Sequence, residues 1–325
     1  MNKQAVLLLD FGGPKNLDAV KPFLLELFSD RAVIPLPFGR NFVARLITAS
    51  RLSKVKAQYA SIGGGSPLIA QTKKIAGALE KRFAATQLNF PVYTAMRYTE
   101  PSIRETLWQM VKDNIHEVVV LPMFPQFSFA TTGSVFSELQ KIAKSLAPYL
   151  TLTLVRQWSE EPEFILAWVQ VIQEAIQKCA DASNDKEPIH LLFSAHSLPV
   201  KLVTMKNDPY PKQIEQCIAK ILQESGLKNP WHLSFQSKIG PVKWLGPSTM
   251  DKVKELGAQG VKKLVFIPIS FLTDHIETLY EIDLLLIPEA QEAGVTTCVR
   301  TRALIQNPHL VSALEKIILS RLFPR

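Results

Sequence analysis

His190-Leu191-Leu192-Phe193-Ser194-Ala195-His196-Ser197-Leu198-Pro199 decides the fold of this chain. An apolar run of strand length ends abruptly in small and polar residues, and His196 stands at its carboxyl edge. In an open α/β sheet, ligands bind outside the carboxyl ends of the strands. This position makes His196 a candidate catalytic residue, although a histidine after a strand more often has a structural role than a catalytic one.

The composition is that of a globular protein. The chain has 325 residues, 47% hydrophobic and 20% charged, which suffices for two domains of ordinary size. No apolar run approaches the roughly 18 residues that span a bilayer, and residues 5–9 are too short an apolar core for a signal peptide. The three widely spaced cysteines predict neither a disulfide framework nor a metal–sulfur site, so the expected location is the cytoplasm.

The net charge is +8, from 37 Lys and Arg against 29 Asp and Glu. The basic residues are spread along the chain and interleaved with acids, without a basic tract or a known binding motif, so no nucleic-acid partner is expected. The charge is more consistent with an anionic substrate or an anionic membrane surface.

Strand-like apolar runs alternate with helical periodicity along the chain, which predicts parallel α/β layers. The strands of the two halves end alike, since residues 9–14 resemble 193–199 and residues 119–124 resemble 265–271. We therefore predict two similar α/β domains, residues 1–158 and 159–306, and a helix over 307–325. The predicted strands cover residues 5–9, 92–96 and 117–121 in the first half, and 189–193, 232–235 and 263–267 in the second.

The C-terminal helix has a clear start signal. Asn307 is a good N-cap, and Pro308 suits the first helical position. Apolar residues then recur at helical spacing and form one face that can be buried.

Two loops of small residues each have a structural and a functional interpretation. Residues 62–67 (Ile-Gly-Gly-Gly-Ser-Pro) lack the lysine of a P-loop and the spacing of a dinucleotide fingerprint. They predict a tight turn, whose N–H groups and Ser66 hydroxyl can also receive a carboxylate. Residues 126–134 form either a well-capped connection or a helix amino terminus open to a flat ligand.

Residues 273–283 (Thr-Asp-His-Ile-Glu-Thr-Leu-Tyr-Glu-Ile-Asp) carry a row of acids. On one helix, Asp274, Glu277 and Glu281 would share a face and raise each other's pKa. A solvated surface tolerates such a row. The row also follows a very apolar strand, however, so it can lie beside His196 and conduct protons or a divalent cation. Histidine with carboxylates and no thiolate suits ferrous iron and similar ions.

The loop at residues 236–247 carries Trp244 between glycines and prolines. Such a tryptophan is usually core or lid, and here it can also form a wall for a flat aromatic ligand.

Together these residues resemble the ferrochelatase family, which inserts ferrous iron into a porphyrin to make haem. The resemblance runs from Leu7 to about Leu310. It rests on residues 192–199 (Leu-Phe-Ser-Ala-His-Ser-Leu-Pro), 208–211 (Asp-Pro-Tyr-Pro), 236–238 with 244–247, and 274–279 (Asp-His-Ile-Glu-Thr-Leu). The loops at 63–67 and 131–134 also match.

The resemblance implies two Rossmann-like domains around a cleft, with the C-terminal helix crossing back to the first domain. It implies that His196 and Glu277 are catalytic residues and metal ligands, facing each other across the centre of the macrocycle. Asp274, His275 and Glu281 would conduct protons or metal. The porphyrin-binding positions carried over are Phe11, Arg51, Lys54, Tyr59, Ser66, Arg97, Tyr98, Phe124, Ser237 and Trp244.

Three positions depart from the family pattern. Phe129 stands where cluster-bearing relatives have cysteine, so no iron–sulfur cluster and no permanent cofactor are expected. Asn207 replaces a glycine, which is a mild change because asparagine also tolerates left-handed geometry. Leu285 falls where some relatives extend the acidic row, so the conduit is expected to be shorter.

The implied partners are protoporphyrin IX and Fe²⁺, with Fe²⁺ a substrate. The apolar segment at residues 28–38 can form ordinary core or a lip resting on a membrane at its periphery. Two other readings stay open: a tetrapyrrole or metal carrier without turnover, and a chelatase for cobalt or another tetrapyrrole. The resemblance favours protoporphyrin over coproporphyrin.

Overall fold

The computed structural model describes residues 3–34, 38–182, 186–240 and 242–323, and the chain divides into two compact units. The first unit comprises Met1–Trp158 and Val311–Arg325, and the second comprises Ser159–Leu310. Each unit contains a four-stranded sheet in which every pairing is parallel. The predicted α/β class with two similar parallel sheets flanked by helices is confirmed.

The first unit has the strand order β2-β1-β3-β4. Its central strand is buried from Ala5 to Leu9, because helices cover both faces of a parallel sheet and leave no polar side to the strand. Its elements are β1 (Gln4–Asp10), α1 (Val20–Ser29), α2 (Arg40–Ser61), α3 (Leu68–Ala85), β2 (Val92–Met96), α4 (Ile103–Lys112), β3 (Glu117–Pro122), α5 (Thr132–Leu146) and β4 (Thr151–Leu154).

The second unit has the corresponding order β6-β5-β7-β8, so β5 and β7 are the counterparts of β1 and β3. Its elements are α6 (Pro162–Asp181), β5 (Ile189–His196), α7 (Val200–Lys206), α8 (Tyr210–Ser225), β6 (Trp231–Gln236), α9 (Thr249–Ala258), β7 (Lys263–Ile267), α10 (Ile276–Leu279), a π-helical segment (Glu281–Leu286), α11 (Ile287–Glu292) and β8 (Thr297–Arg300).

In both units the strand order reverses at the same place. The chain leaves the central strand to form a neighbour on one side and then returns to form the neighbour on the other. The connections diverge there and open a crevice at the carboxyl ends of the strands. In the second unit this switch point lies between β5, which ends at His196, and β7, which leads to α10.

Helix α12 (Pro308–Leu322) follows a short 3₁₀ turn at Leu304–Gln306. The predicted N-cap is confirmed, since the side-chain oxygen of Asn307 accepts a hydrogen bond from the backbone N–H of His309 at 2.9 Å. No helix within the described ranges is long and apolar enough to cross a membrane.

The predicted lip at residues 28–38 is only partly exposed. Phe28 is buried, which agrees with the alternative that it is ordinary core. Phe38 is 89% exposed, and Phe42 and Leu46 on the first turns of α2 are 66% and 55% exposed. Residues 35–37 of the lip, Pro241 of the tryptophan loop, and residues 1–2 and 324–325 lie outside the described residues.

Candidate active site

His196 ends the central strand of the second unit, and its backbone is held on both sides. Its N–H donates to the Ser270 hydroxyl at 3.0 Å, and its carbonyl accepts from the Tyr210 hydroxyl at 3.0 Å. Tyr210 comes from the Asp-Pro-Tyr-Pro motif, where the Asp208 carboxylate accepts the Tyr210 N–H at 3.0 Å. The motif therefore fixes the position of His196.

The His196 ring pairs directly with Glu277, with 3.0 Å between Nδ1 and Oε1. Burial lowers the pKa of His196, but the charge and hydrogen bond of Glu277 outweigh it and leave the pKa raised. Burial raises the pKa of Glu277. The charge of His196 more than reverses that effect, so the pKa of Glu277 is lowered. The implied placement of the two groups on opposite sides of a macrocycle is wrong, because they are hydrogen-bonded side by side.

Glu277 is positioned by the cap of α10. The His275 ring accepts the Glu277 N–H through Nδ1 at 3.0 Å, and the Thr278 hydroxyl accepts the His275 N–H at 3.1 Å. Burial is the main cause that lowers the pKa of His275, which keeps the ring neutral and able to accept. His275 is therefore engaged as an N-cap.

The predicted single helix over residues 273–283 is wrong. Helix α10 is one turn long and leads into the π-helical segment, and Asp274 lies before the cap. The Asp274 carboxylate accepts from Thr278 at 3.0 Å and from Arg300 at 2.9 Å. The expected row of three unpaired acids therefore reduces to Glu277 and Glu281, because a base from β8 neutralises Asp274.

Glu281 is held by the loop after β6. Its Oε2 accepts from the Ser237 hydroxyl at 2.5 Å and from the Gln236 amide at 3.0 Å. The same amide nitrogen donates to the Glu277 carbonyl at 2.8 Å. Burial, and then the charge of Glu277, raise the pKa of Glu281 to about 7. Glu281 can therefore take up and release a proton near neutral pH.

The orientation of Gln236 is set by buried hydroxyls that sequence analysis did not identify. Ser194 donates to the Gln236 carbonyl oxygen at 2.7 Å, which leaves the amide nitrogen for the two glutamates. The Thr249 hydroxyl is hydrogen-bonded to the Ser194 hydroxyl at 2.9 Å and to the Ser234 hydroxyl at 3.0 Å. Ser194 and Ser234 interrupt two apolar strands at facing positions, and this was the only signal in the sequence.

The described residues contain no group of three or more His, Cys, Asp or Glu side chains arranged to hold a metal ion. The His196–Glu277 pair thus offers two donors. Since Glu277 engages Nδ1, the second ring nitrogen of His196 is the one that can meet a metal or a proton.

The first unit contains a polar cluster centred on Asp30 at the carboxyl edge of its sheet. The Asp30 carboxylate accepts from the Tyr98 hydroxyl at 2.8 Å and from the Ser134 hydroxyl, and it pairs with Arg97 at 3.1 Å. Ser134 belongs to the 126–134 segment that the sequence marked as a possible ligand-facing helix start, whereas nothing in the sequence pointed to Asp30. The charge of Arg97 is thus partly balanced within the unit.

An aromatic cluster lies beside this polar one. The Phe11 ring is 5.2 Å from the Tyr98 ring and 4.7 Å from the Phe124 ring, between centroids. Phe11 directly follows β1, and its N–H donates to the Asp10 carboxylate at 2.7 Å. Phe11 therefore contacts two other predicted porphyrin-binding residues.

The remaining predicted residues are more dispersed. Arg51, Lys54 and Tyr59 share α2, where Lys54 is exposed and Tyr59 is buried. Ser66 packs so closely on Gly13 that a Cβ at Gly13 would lie 2.5 Å from the Ser66 Cβ. In the second unit, Trp244 forms an antiparallel bridge with Pro199, which places it beside the segment that follows His196.

The fold is of the kind seen in metal chelatases. Solved structures similar to it include SirB from Bacillus subtilis with Fe³⁺, with a TM-score of 0.55 and 13% identity over 98% of this chain and 95% of that chain. They also include the sirohydrochlorin chelatase SirB from Bacillus subtilis subspecies spizizenii in complex with cobalt, with a TM-score of 0.53 and 14% identity over 99% and 97%.

Sequence comparison identifies the family within this class. The ferrochelatase family model matches residues 3–322. A ferrochelatase from Rippkaea orientalis is 39% identical over 98% of this chain and 82% of its own length, and one from a Synechococcus strain is 40% identical over 98% and 93%. The chain belongs to the ferrochelatase family.

Proposed function

We propose that this protein is a protoporphyrin ferrochelatase, a lyase that inserts Fe²⁺ into protoporphyrin IX to form protohaem in the final step of haem biosynthesis. Family membership supports this activity. The observation that carries it is the His196–Glu277 pair at the switch point of the second sheet. Metallation of a porphyrin releases two pyrrole protons and takes in one divalent ion, so it requires a base and weak metal donors at one place.

His196 accepts the first pyrrole proton. The Glu277 carboxylate holds Nδ1 at 3.0 Å, which fixes the tautomer of the neutral ring and stabilises the imidazolium that forms on protonation. The raised pKa of His196 has the same origin and favours proton uptake.

Glu281 receives protons that leave the pair. Its pKa of about 7 matches a group that exchanges protons near neutrality. The Ser237 and Gln236 donors hold its carboxylate in place. We assign Glu281 to the conduit and His275 to its support as the cap of α10, with Asp274 at the margin because it is paired with Arg300.

Iron is a substrate in this scheme, and His196 with Glu277 would bind it transiently. Phe129 occupies the position of a cluster-bearing cysteine, and we propose that the protein works without an iron–sulfur cluster or other permanent cofactor. The aromatic residues Phe11, Tyr98 and Phe124, with Trp244, suit the faces of a flat macrocycle. The propionates are assigned to Arg51, Lys54, Tyr59 and Ser66, and Arg97 and Ser237 complete the proposed porphyrin contacts.

The purified protein is expected to metallate protoporphyrin IX with Fe²⁺ under anaerobic conditions. Loss of porphyrin fluorescence follows the reaction, and a mixture without enzyme measures the uncatalysed rate. Parallel runs with Co²⁺, Zn²⁺ and coproporphyrin rank metals and substrates. Porphyrin binding without turnover would instead identify a carrier, and faster insertion into another tetrapyrrole would contradict the substrate assignment.

We further propose a cytoplasmic location with peripheral membrane contact through Phe38, Phe42 and Leu46, which are exposed apolar residues beside basic Arg45. Apolar side chains with basic neighbours favour an anionic bilayer surface. Phe42→Ser is expected to reduce co-sedimentation with phosphatidylglycerol vesicles, and Trp108→Ser, which removes a 49% exposed aromatic residue of α4, is not. Equal binding by both variants would exclude this surface.

A further inference from the structure

Arg300, the last residue of β8, joins two acids that flank the candidate site. Its Nε and Nη2 donate to the two oxygens of Asp283 at 2.7 and 2.9 Å, and its Nη1 donates to Asp274 at 2.9 Å. The Arg300 side chain is only 12% exposed. We call Arg300 with Asp274 and Asp283 the Arg300 bridge.

In the sequence, the two acids stand before and after the residues that carry the chemistry. Asp274 precedes the His275 cap, and Asp283 lies in the π-helical segment, so Glu277 and Glu281 fall between the two anchors. A π-helical stretch is rare and is frequently found at functional sites. The Arg300 bridge ties this segment to strand β8.

The bridge also limits charge repulsion. Asp274, Glu277, Glu281 and Asp283 are four carboxylates within ten residues of the chain, and like charges that lie close together repel one another. The guanidinium neutralises part of this charge at the two outer acids. Its planar fork also fixes the orientation of Asp283, which a lysine ammonium cannot do.

We propose that Arg300 is a positioning residue for metal insertion: by tying Asp274 to Asp283, it holds Glu277 and Glu281 in register with His196. The proposal rests on the proposed function of the site. Arg300 itself makes no contact with a reacting group in this assignment, and it acts through the geometry of residues 274–283.

The chain offers a matched control two residues further on. Arg302 makes a similar fork with Glu174, at 2.7 Å from Nε and 3.1 Å from Nη2. This pair lies between the end of the second sheet and α6, and neither residue contacts the π-helical segment through a described hydrogen bond. Lysine substitution breaks one bidentate pair in each case, so a general loss of packing affects both variants.

Arg300→Lys and Arg302→Lys in the full chain test the proposal. For Arg300→Lys we expect kcat to fall about tenfold or more, because small misplacements of catalytic groups have large effects on rate. The KM for porphyrin should change less than about twofold, as for loss of an interaction specific to the transition state. Backbone amides at residues 276–286 should exchange with deuterium faster. Arg302→Lys should leave kcat and this exchange unchanged.

Asp283→Asn provides a second variant that retains the side-chain volume, and it should change kcat and exchange in the same direction. Equal losses of kcat in Arg300→Lys and Arg302→Lys, or unchanged exchange at residues 276–286, would overturn the proposal. If the unsubstituted protein inserts no metal, the proposed function fails, while the exchange measurement still decides whether the bridge supports the π-helical segment.

Discussion

His196→Ala is expected to lower the rate of iron insertion by about a thousandfold, within the range typical of removing a general base. The variant keeps the fold, because the contacts that position residue 196 are made by its backbone N–H and carbonyl, which alanine retains. It also leaves Glu277 without its imidazole partner. The initial rate of fluorescence loss with Fe²⁺ and protoporphyrin IX measures the effect.

His190→Ala is the matched control, since His190 lies on the same strand near its other end. Its ring is hydrogen-bonded to that of His232, with 3.0 Å between Nδ1 and Nε2, so this variant also removes a partnered histidine. We expect its rate to stay within about twofold, as for a substitution remote from the reacting groups. Normal turnover by His196→Ala would disprove the mechanism, and unchanged porphyrin binding by that variant would confirm that only the chemical step is lost.

The sequence predicted six of the eight described strands and missed one edge strand of each sheet. The runs over 5–9, 117–121 and 263–267 are continuously apolar because both of their faces are covered. Strands β4 (Thr151–Leu154) and β8 (Thr297–Arg300) pair on one side only and remain partly exposed. Both strands are only four residues long, so their sequence pattern does not differ from that of a loop, whereas the longer edge strands β2 and β6 are predicted.

Some features of the candidate site follow from residues that are close together in the sequence, and others depend on residues that are far apart in it. His196 could be found because it directly follows a strand, and Glu277 because it lies in a dense acidic stretch. The break in the helix before Glu277 could not be found, since it depends on the His275 cap and on Arg300, which lies 26 positions after Asp274 in the chain. Pairing across strands therefore decides which acids remain available.

The protonation state of Asp10 is a further property that the sequence does not predict, although the sequence places Asp10 at the end of a strand. It is 4% exposed, and burial raises its pKa to about 7 against hydrogen bonds from Phe11 and Thr72. The Thr72 hydroxyl lies 3.2 Å from the carboxyl and 3.0 Å from the Leu68 carbonyl, but it has one hydrogen to donate. A protonated Asp10 resolves this conflict by donating to Thr72, which then donates to Leu68.

Asp10→Asn is therefore expected to stabilise the protein strongly at pH 8 and more weakly at pH 5, since asparagine can donate to Thr72 and accept from Phe11 as the protonated acid does. As pH rises from about 4 to 7, the unfolded carboxyl loses its proton before the folded one, so the unsubstituted protein loses stability over this interval. The advantage of Asp10→Asn should grow by about 2 kcal/mol between pH 5 and 8, measured by urea unfolding. Asp30→Asn is expected to destabilise the protein at both pH 5 and pH 8. Burial raises the pKa of Asp30, but hydrogen bonds from Ser134, Ala32 and Tyr98, together with the charge of Arg97, overcome burial and lower it. The Asp30 carboxylate therefore stabilises the fold at both pH values. A constant difference between Asp10→Asn and the unsubstituted protein across this range would show that Asp10 is ionised throughout, and Phe11 would then be held by a buried charge.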